Sequence, residues 1–211
     1  MDEKEISQAV IGRLPRYFRY LGELKDQGVE RISSQELSRL MKVTASQIRQ
    51  DFNNFGGFGQ QGYGYNVEYL YKEIGEILGL YDGDTTIIIG AGNLGKALAD
   101  YAGFEKRGFK LVGIFDNNPQ IIGTDINGIK VLDVKYLEDF IKNNRVDIGI
   151  LAVPKAEANN IAQRLAGGGV KGLLNFCYTD IKISENTVIE NVHLSDHLMM
   201  LSYNIKRQRE K

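Results

Sequence analysis

Thr85-Thr86-Ile87-Ile88-Ile89-Gly90-Ala91-Gly92-Asn93-Leu94-Gly95 sets a β-branched run directly before a G-x-G-x-x-G and a helical pattern directly after it. The run reads as a buried strand, and the glycines as the turn into a helix that ends near Gly103. The next β-branched run, Leu111-Val112-Gly113-Ile114-Phe115, completes a β-α-β unit. In that context each glycine has its own physical role. The first permits a tight turn, the second lets backbone approach a pyrophosphate, and the third lets helix and strand pack closely, while the helix N-terminus turns its amides toward the anion. Asp116 ends the second strand, 21 residues after Gly95, where a carboxylate accepts hydrogen bonds from ribose hydroxyls and repels a ribose phosphate. The spacing predicts a dinucleotide site that takes NAD+ and NADH rather than their phosphorylated counterparts.

Toward the C-terminus, strands at Ile129 to Leu132, Ile148 to Val153 and Gly172 to Leu174 alternate with helices near Val134 to Lys142 and Ala156 to Ala166. That alternation predicts a Rossmann-like doubly wound parallel sheet in an α/β chain. The expected cofactor-binding residues are Gly90, Ala91, Gly92, Asn93, Leu94, Gly95 and Asp116, with Val153 and Pro154 at one strand's carboxyl end and Asn175 and Phe176 after another. An apolar pocket at Asn175-Phe176 would favour the neutral reduced nicotinamide over the cationic oxidised one, because burying an unpaired cation is costly. A last stripe of Leu194, Leu198, Leu201 and Ile205 marks a terminal amphipathic helix with no strand after it.

Upstream of Tyr81-Asp82-Gly83-Asp84 the apolar residues recur at helical spacing instead. Ile6, Ala9, Val10, Leu14, Phe18, Leu21 and Leu24 form one stripe, kinked or restarted at Pro15. Ser33-Ser34-Gln35-Glu36 is a capping box opening a short helix, and Thr44-Ala45-Ser46-Gln47 repeats the device after a tight turn. Helix, turn, helix is followed by Gly56-Gly57-Phe58-Gly59-Gln60-Gln61-Gly62-Tyr63-Gly64-Tyr65, which reads as a two-stranded hairpin, and Asn66 caps a further helix. This is a winged-helix pattern, with the helix from Ala45 entering a major groove. Ser46, Gln47, Arg49 and Gln50 lie on its first turns; Lys42 and Thr44 flank its start; Gln60, Gln61 and Tyr63 belong to the wing; Arg13 and Arg16 are available for phosphates. The expected divisions are residues 1–80 for the DNA-binding domain, 81–190 for the nucleotide domain and 191–211 for the last helix.

The chain's 211 residues carry 26 Lys+Arg against 27 Asp+Glu, so no global basicity announces a nucleic-acid partner. Over residues 13–50, however, eight basic residues face four acidic ones, and the local sign is positive. The single cysteine, Cys177, excludes an intrachain disulfide and reads as buried filler suited to a reducing cytoplasm. No apolar run approaches the ~20 residues of a membrane span, and the acidic Met1 to Glu5 is unlike a signal peptide. Hydride transfer needs an acid or base beside the substrate and a second domain to close the pocket. Only about one sheet's worth of chain follows the boundary, no metal-ligand cluster is evident, and Lys155 is the best of the poor catalytic candidates. A binding protein without catalytic residues is expected, against the rival reading of a small NAD-dependent oxidoreductase with a helical prefix.

The glycine-aromatic wing from Phe55 to Tyr65, the Gly90 to Gly95 turn, Asp116, Arg13-Leu14-Pro15, Gln47-Ile48-Arg49, Lys171-Gly172-Leu173-Leu174-Asn175-Phe176 and Glu190-Asn191-Val192 together resemble the Rex family of bacterial redox-sensing repressors. The resemblance covers nearly the whole chain. It implies a homodimer that exchanges its C-terminal helix, binds inverted-repeat operator DNA, and leaves that DNA when NADH accumulates. It also implies a redox-dependent switch at Arg19, Tyr101 and His193. The family's pattern has an acid at the last position, and a histidine cannot form that salt bridge with arginine; Asp196 is the nearby substitute. Gln50 and Gln60-Gln61 stand where the family often has Lys or Arg, which implies fewer phosphate contacts.

Overall fold

A computed structural model of the chain describes residues 6–55, 58–60, 63–183 and 186–210. It divides into two compact units, Met1–Asp82 and Gly83–Lys211.

In the first unit, α1 (Gln8–Ile11) stops at Gly12, and α2 (Leu14–Asp26) restarts the stripe with Pro15 in its first turn, where proline's missing N–H is not needed. After β1 (Arg31–Ile32), a strand the sequence pattern did not signal, α3 (Ser34–Met41) opens on the expected capping box: Ser33 and Glu36 each bond the other's backbone amide. Lys42, in the left-handed region at φ 53°, ends it. Helix α4 (Ala45–Asn53) follows at once, capped by the Thr44 hydroxyl, which accepts from the Gln47 amide. The reciprocal arm is not made, because the Gln47 side chain donates to Asp51 instead. Strands β2 (Gly59–Gln60) and β3 (Gly64–Asn66) form the antiparallel hairpin, and β1 pairs with the other edge of β3. Gly64 is required there: its φ is +70°, and a Cβ would sit 2.8 Å from the Ile32 carbonyl oxygen. Asn66 then caps α5 (Val67–Ile77). Leu14, Tyr17, Leu21, Leu37, Met41, Ile48, Phe52 and Ile74 fill the core, and Tyr65 meets Phe52 edge-on, which ties the hairpin to α4.

The second unit runs β4 (Thr85–Ile89), α6 (Asn93–Ala99), β5 (Lys110–Asp116), β6 (Asp125–Ile126), β7 (Ile129–Asp133), α7 (Leu137–Asn143), β8 (Ile148–Leu151), α8 (Lys155–Gly167), β9 (Gly172–Asn175), β10 (Val188–Asn191) and α9 (Leu194–Arg209). Among the described residues the sheet order is β10-β9-β8-β4-β5-β7-β6. All pairs are parallel except β6 with β7. That exception follows from Asn127-Gly128, both at positive φ, which close a two-residue hairpin. Helix α6 ends at Ala99, four residues before the expected Gly103. Alternate residues of β4 feed two cores: Ile87 and Ile89 face Leu165 and Leu151 under α7 and α8, and Ile88 faces Ala99 and Ile114 on the α6 side. Helix α9 is different in kind, since none of its residues is buried while Leu194, Leu198, Leu201 and Tyr203 are each more than half exposed.

Candidate dinucleotide site and nucleic-acid face

The turn after β4 shows why its glycines are glycines. A Cβ on Gly90, at φ +99°, would lie 2.4 Å from the Ala152 carbonyl oxygen, and one on Gly95 would lie 1.8 Å from the Gly90 carbonyl oxygen. Those two positions bring backbone against backbone. Gly92 is the opposite case: a Cβ there would meet no protein atom within 4 Å, so the side chain is missing on the side that faces open space. That space is a cavity of about 540 Å³ at the carboxyl ends of the strands, bordered by Gly90, Gly92, Asp116, Asn118, Val153 and Pro154.

Asp116 holds the turn as well as the crevice. Its Oδ2 accepts from the Ala91 amide at 2.7 Å and its Oδ1 from the Asn118 amide at 2.8 Å. Each oxygen keeps a second lone pair for a ribose hydroxyl. The residues therefore fit a dinucleotide. Ala91 and Gly95 are buried, and Asn93 and Leu94 are exposed at the start of α6.

Asn175 and Phe176 do not border this cavity. Asn175 is fully buried, and its amide donates to the Thr179 carbonyl and Asn191 Oδ1 while its Oδ1 accepts from the Cys177 amide. Phe176 packs in the α6-side core. The sequence reading missed Glu157, Asn160 and Arg164, which line the crevice from α8. Their spacing of three and four residues along the helix that follows β8 was the available signal. The Arg164 guanidinium is held by Glu138 and the Val134 carbonyl, and it draws the Glu138 carboxyl below its ordinary range. Cys177 is buried, which pushes its thiol up. Tyr101 and His193 line separate cavities; His193 starts α9 and stacks edge-on against Tyr178, with Asp196 bordering the same recess.

In the helical unit, Lys42, Thr44, Ser46, Arg49 and Gln50 are all exposed along the turn and the outer face of α4. Arg49 is steadied by a 3.0 Å bond from its guanidinium to Ser34 Oγ. Tyr63 is 71% exposed, and its carbonyl accepts from Arg31. Arg16 and Arg19 lie over the Tyr20 ring. Gln60 stands in β2, and Gln61 lies outside the described residues. Two expected contact residues face inward. Arg13 donates through Nε and Nη2 to the Asp51 carboxylate at 2.7 and 2.8 Å, and Gln47 Nε2 donates to the same group at 2.8 Å.

Residues 5–53 match the family model described as "Putative DNA-binding protein N-terminus", and residues 83–179 match the one described as "CoA binding domain". The redox-sensing transcriptional repressor Rex of Thermoanaerobacter pseudethanolicus is 56% identical over 204 residues, covering 97% of this chain and 91% of that protein. Among solved structures, RSP in complex with β-NAD+ and operator DNA matches with a TM-score of 0.90 and 57% identity over 97% of this chain and 94% of that one. RSP in complex with β-NADH matches with the same TM-score and 54% identity over 98% and 97%.

Proposed function

The chain belongs to the Rex family of redox-sensing transcriptional repressors, and on that premise we propose which of its residues sense the dinucleotide and which read the operator. It is a regulator and not an enzyme: it binds operator DNA as a homodimer, takes NADH and NAD+, and is released from DNA by NADH. We place it in the cytoplasm, where operator and dinucleotide pool meet. No helix among the described residues is long and apolar enough to cross a membrane.

The division of labour we assign follows the two units. Gly90 to Gly95 present backbone to the pyrophosphate, Asp116 binds the ribose, and Val153 and Pro154 close the crevice. The carrying observation is Gly92, whose absent side chain opens on the cavity rather than on protein. Ser46, Arg49 and Gln50 read bases from α4, with Lys42, Thr44 and Arg16 on phosphates and the Gln60 to Tyr63 wing alongside. Arg13 and Gln47 take a supporting role, because Asp51 already engages their donors. The exposed apolar face of α9 is what the second protomer covers, which makes α9 the dimer-exchange helix. We assign the redox switch to Arg19, Tyr101 and His193 on the family resemblance alone, with Asp196 as the carboxylate able to pair with arginine.

Release is a coupling: NADH must bind the DNA-free conformation more tightly than the DNA-bound one. A swing from mostly bound to mostly free needs about 10⁴-fold differential affinity, about 5.5 kcal/mol, or roughly half from each of two sites. Operator gel shifts titrated with NADH and with NAD+ test this. NADH should release at concentrations where NAD+ does not, Asp116→Ala should blunt release without loss of operator binding, and Arg49→Ala should lose operator binding while NADH affinity stays. Release by both dinucleotides at one concentration would overturn discrimination by nicotinamide charge.

A further inference from the structure

Asp51 lies on the inward side of α4, with its side chain fully buried between Ile48 and Phe52. Its two oxygens accept four hydrogen bonds: Arg13 Nε at 2.7 Å, Arg13 Nη2 at 2.8 Å, the Tyr17 hydroxyl at 2.8 Å and Gln47 Nε2 at 2.8 Å. Arg13 and Tyr17 stand one turn apart at the start of α2, and Gln47 stands one turn before Asp51 on α4. One carboxylate thus joins the opening of α2 to the middle of the helix that carries Ser46, Arg49 and Gln50.

A buried ion pair is a weak source of stability, since well-packed apolar residues of similar volume usually do as well or better. What the bidentate guanidinium pair supplies is direction, because it fixes the plane of both groups in a way that apolar contact does not. An α4 seated only on Ile48 and Phe52 could turn about its axis by several degrees at little cost. With Asp51 tied to Arg13 and Tyr17 at the start of α2, that rotation would break the bonds between the two helices. Burial alone would push the Asp51 carboxyl up, but the donors from Arg13, Gln47 and Tyr17 outweigh it and hold the group below its ordinary range. Burial and the Asp51 charge push the Tyr17 hydroxyl well up, so it stays a neutral donor.

We infer that Asp51 is a positioning residue for operator reading: it sets the rotation of α4 relative to α2, and with it the aim of Ser46, Arg49 and Gln50 at the bases. The inference rests on the assignment of α4 as the reading helix.

The test uses the full-length protein carrying Arg13→Met with Asp51→Leu, so that no charge is left buried alone. Binding is measured to operator and to scrambled duplex over a salt series, beside urea denaturation and NADH affinity. The double variant should keep the parent's NADH affinity and a cooperative denaturation transition, its midpoint lowered by no more than the unpaired Tyr17 hydroxyl costs, yet bind operator about 10- to 100-fold more weakly, the range set by well-aimed base contacts. Its affinity for scrambled duplex should stay within about threefold, because phosphate contacts are not sequence-specific. Operator affinity equal to the parent's would overturn the inference and leave the network purely structural. Equal losses on both duplexes with a shallower salt slope would also overturn it, making Arg13 a phosphate ligand. Tyr17→Phe keeps the ring and removes one donor, so it decides the case if the double variant does not fold. It should lower the ratio of operator to scrambled affinity about three- to tenfold, the size of one ordinary net hydrogen bond; an unchanged ratio would overturn the inference. Arg49→Ala run in parallel separates the premises: operator affinity left intact there would refute the reading helix itself.

Discussion

Asp51 in the helical unit and Asp147 in the sheet unit are both buried carboxylates, with side chains 0% and 4% exposed, and both are fully partnered. Asp147 caps the amino ends of the strands, accepting from the Thr85 amide and hydroxyl, from Arg145 at 2.7 Å and from Lys171 at 3.1 Å. The difference lies in the cations. Arg145 and Lys171 have side chains 57% and 77% exposed, whereas that of Arg13 is 27% exposed. Water can replace Asp147 for its partners far better than it can replace Asp51 for Arg13. The same chemistry is therefore a solvated clamp in one unit and a fixed joint in the other.

The hardest test of that contrast is Asp51→Leu with Arg13 left in place. Stranding a partly buried guanidinium should cost about 3–5 kcal/mol in urea denaturation. A loss below about 1 kcal/mol, as for an exposed pair, would mean that Arg13 swings out to water and the contrast fails. Acid comes next. Although burial pushes the Asp147 carboxyl up, the donors from Thr85, Lys171 and Arg145 hold it down at about 2, below its value in the unfolded chain. Its contribution is therefore fully present above the unfolded value and is lost as pH falls toward the folded one. That contribution is about 2 kcal/mol between neutral pH and pH ~2. Denaturation of parent and Asp147→Asn at neutral and acid pH should show a flatter profile for the variant; parallel profiles would contradict the assignment. The smallest effects belong to Arg145→Met and Lys171→Met, each within about 1 kcal/mol and fading with added salt. A larger loss from either would make Asp147 resemble Asp51.

The elements that carry their own local chemistry were legible before any coordinates. The β4 run with its glycines, the Ser33-Glu36 box, the Asn66 cap and the periodicity of α8 each rest on interactions within a few residues. Strands β1 and β10 were missed because they are two and four residues long and pair with partners well separated from them in the chain, and β6 because it is only two residues long. For β6 the Asn127-Gly128 turn was a usable cue. At the site, residue type does not show which donors are already engaged within the chain. Arg13 and Gln47 look like DNA ligands, and only the position of Asp51 beside Phe52 and three residues after Ile48, on the buried side of α4, hints that they have a partner indoors. Asn175 looks like a pocket residue, yet its amide is consumed in tying β9 to β10. Asp116 was read for its spacing to Gly95; its second task, holding the Ala91 and Asn118 amides, depends on a fold-back that spacing does not reveal.

Helix α9 leaves Leu198, Met199, Met200, Leu201 and Tyr203 in water when the chain is alone. Pairing of two such chains obeys mass action, so the competent fraction depends on how many copies the cell holds. In the dilute regime, halving expression leaves about a quarter of the pairs. Gene dosage thereby becomes a second dial on repression, acting on the amount of repressor while the dinucleotide pool acts on its state.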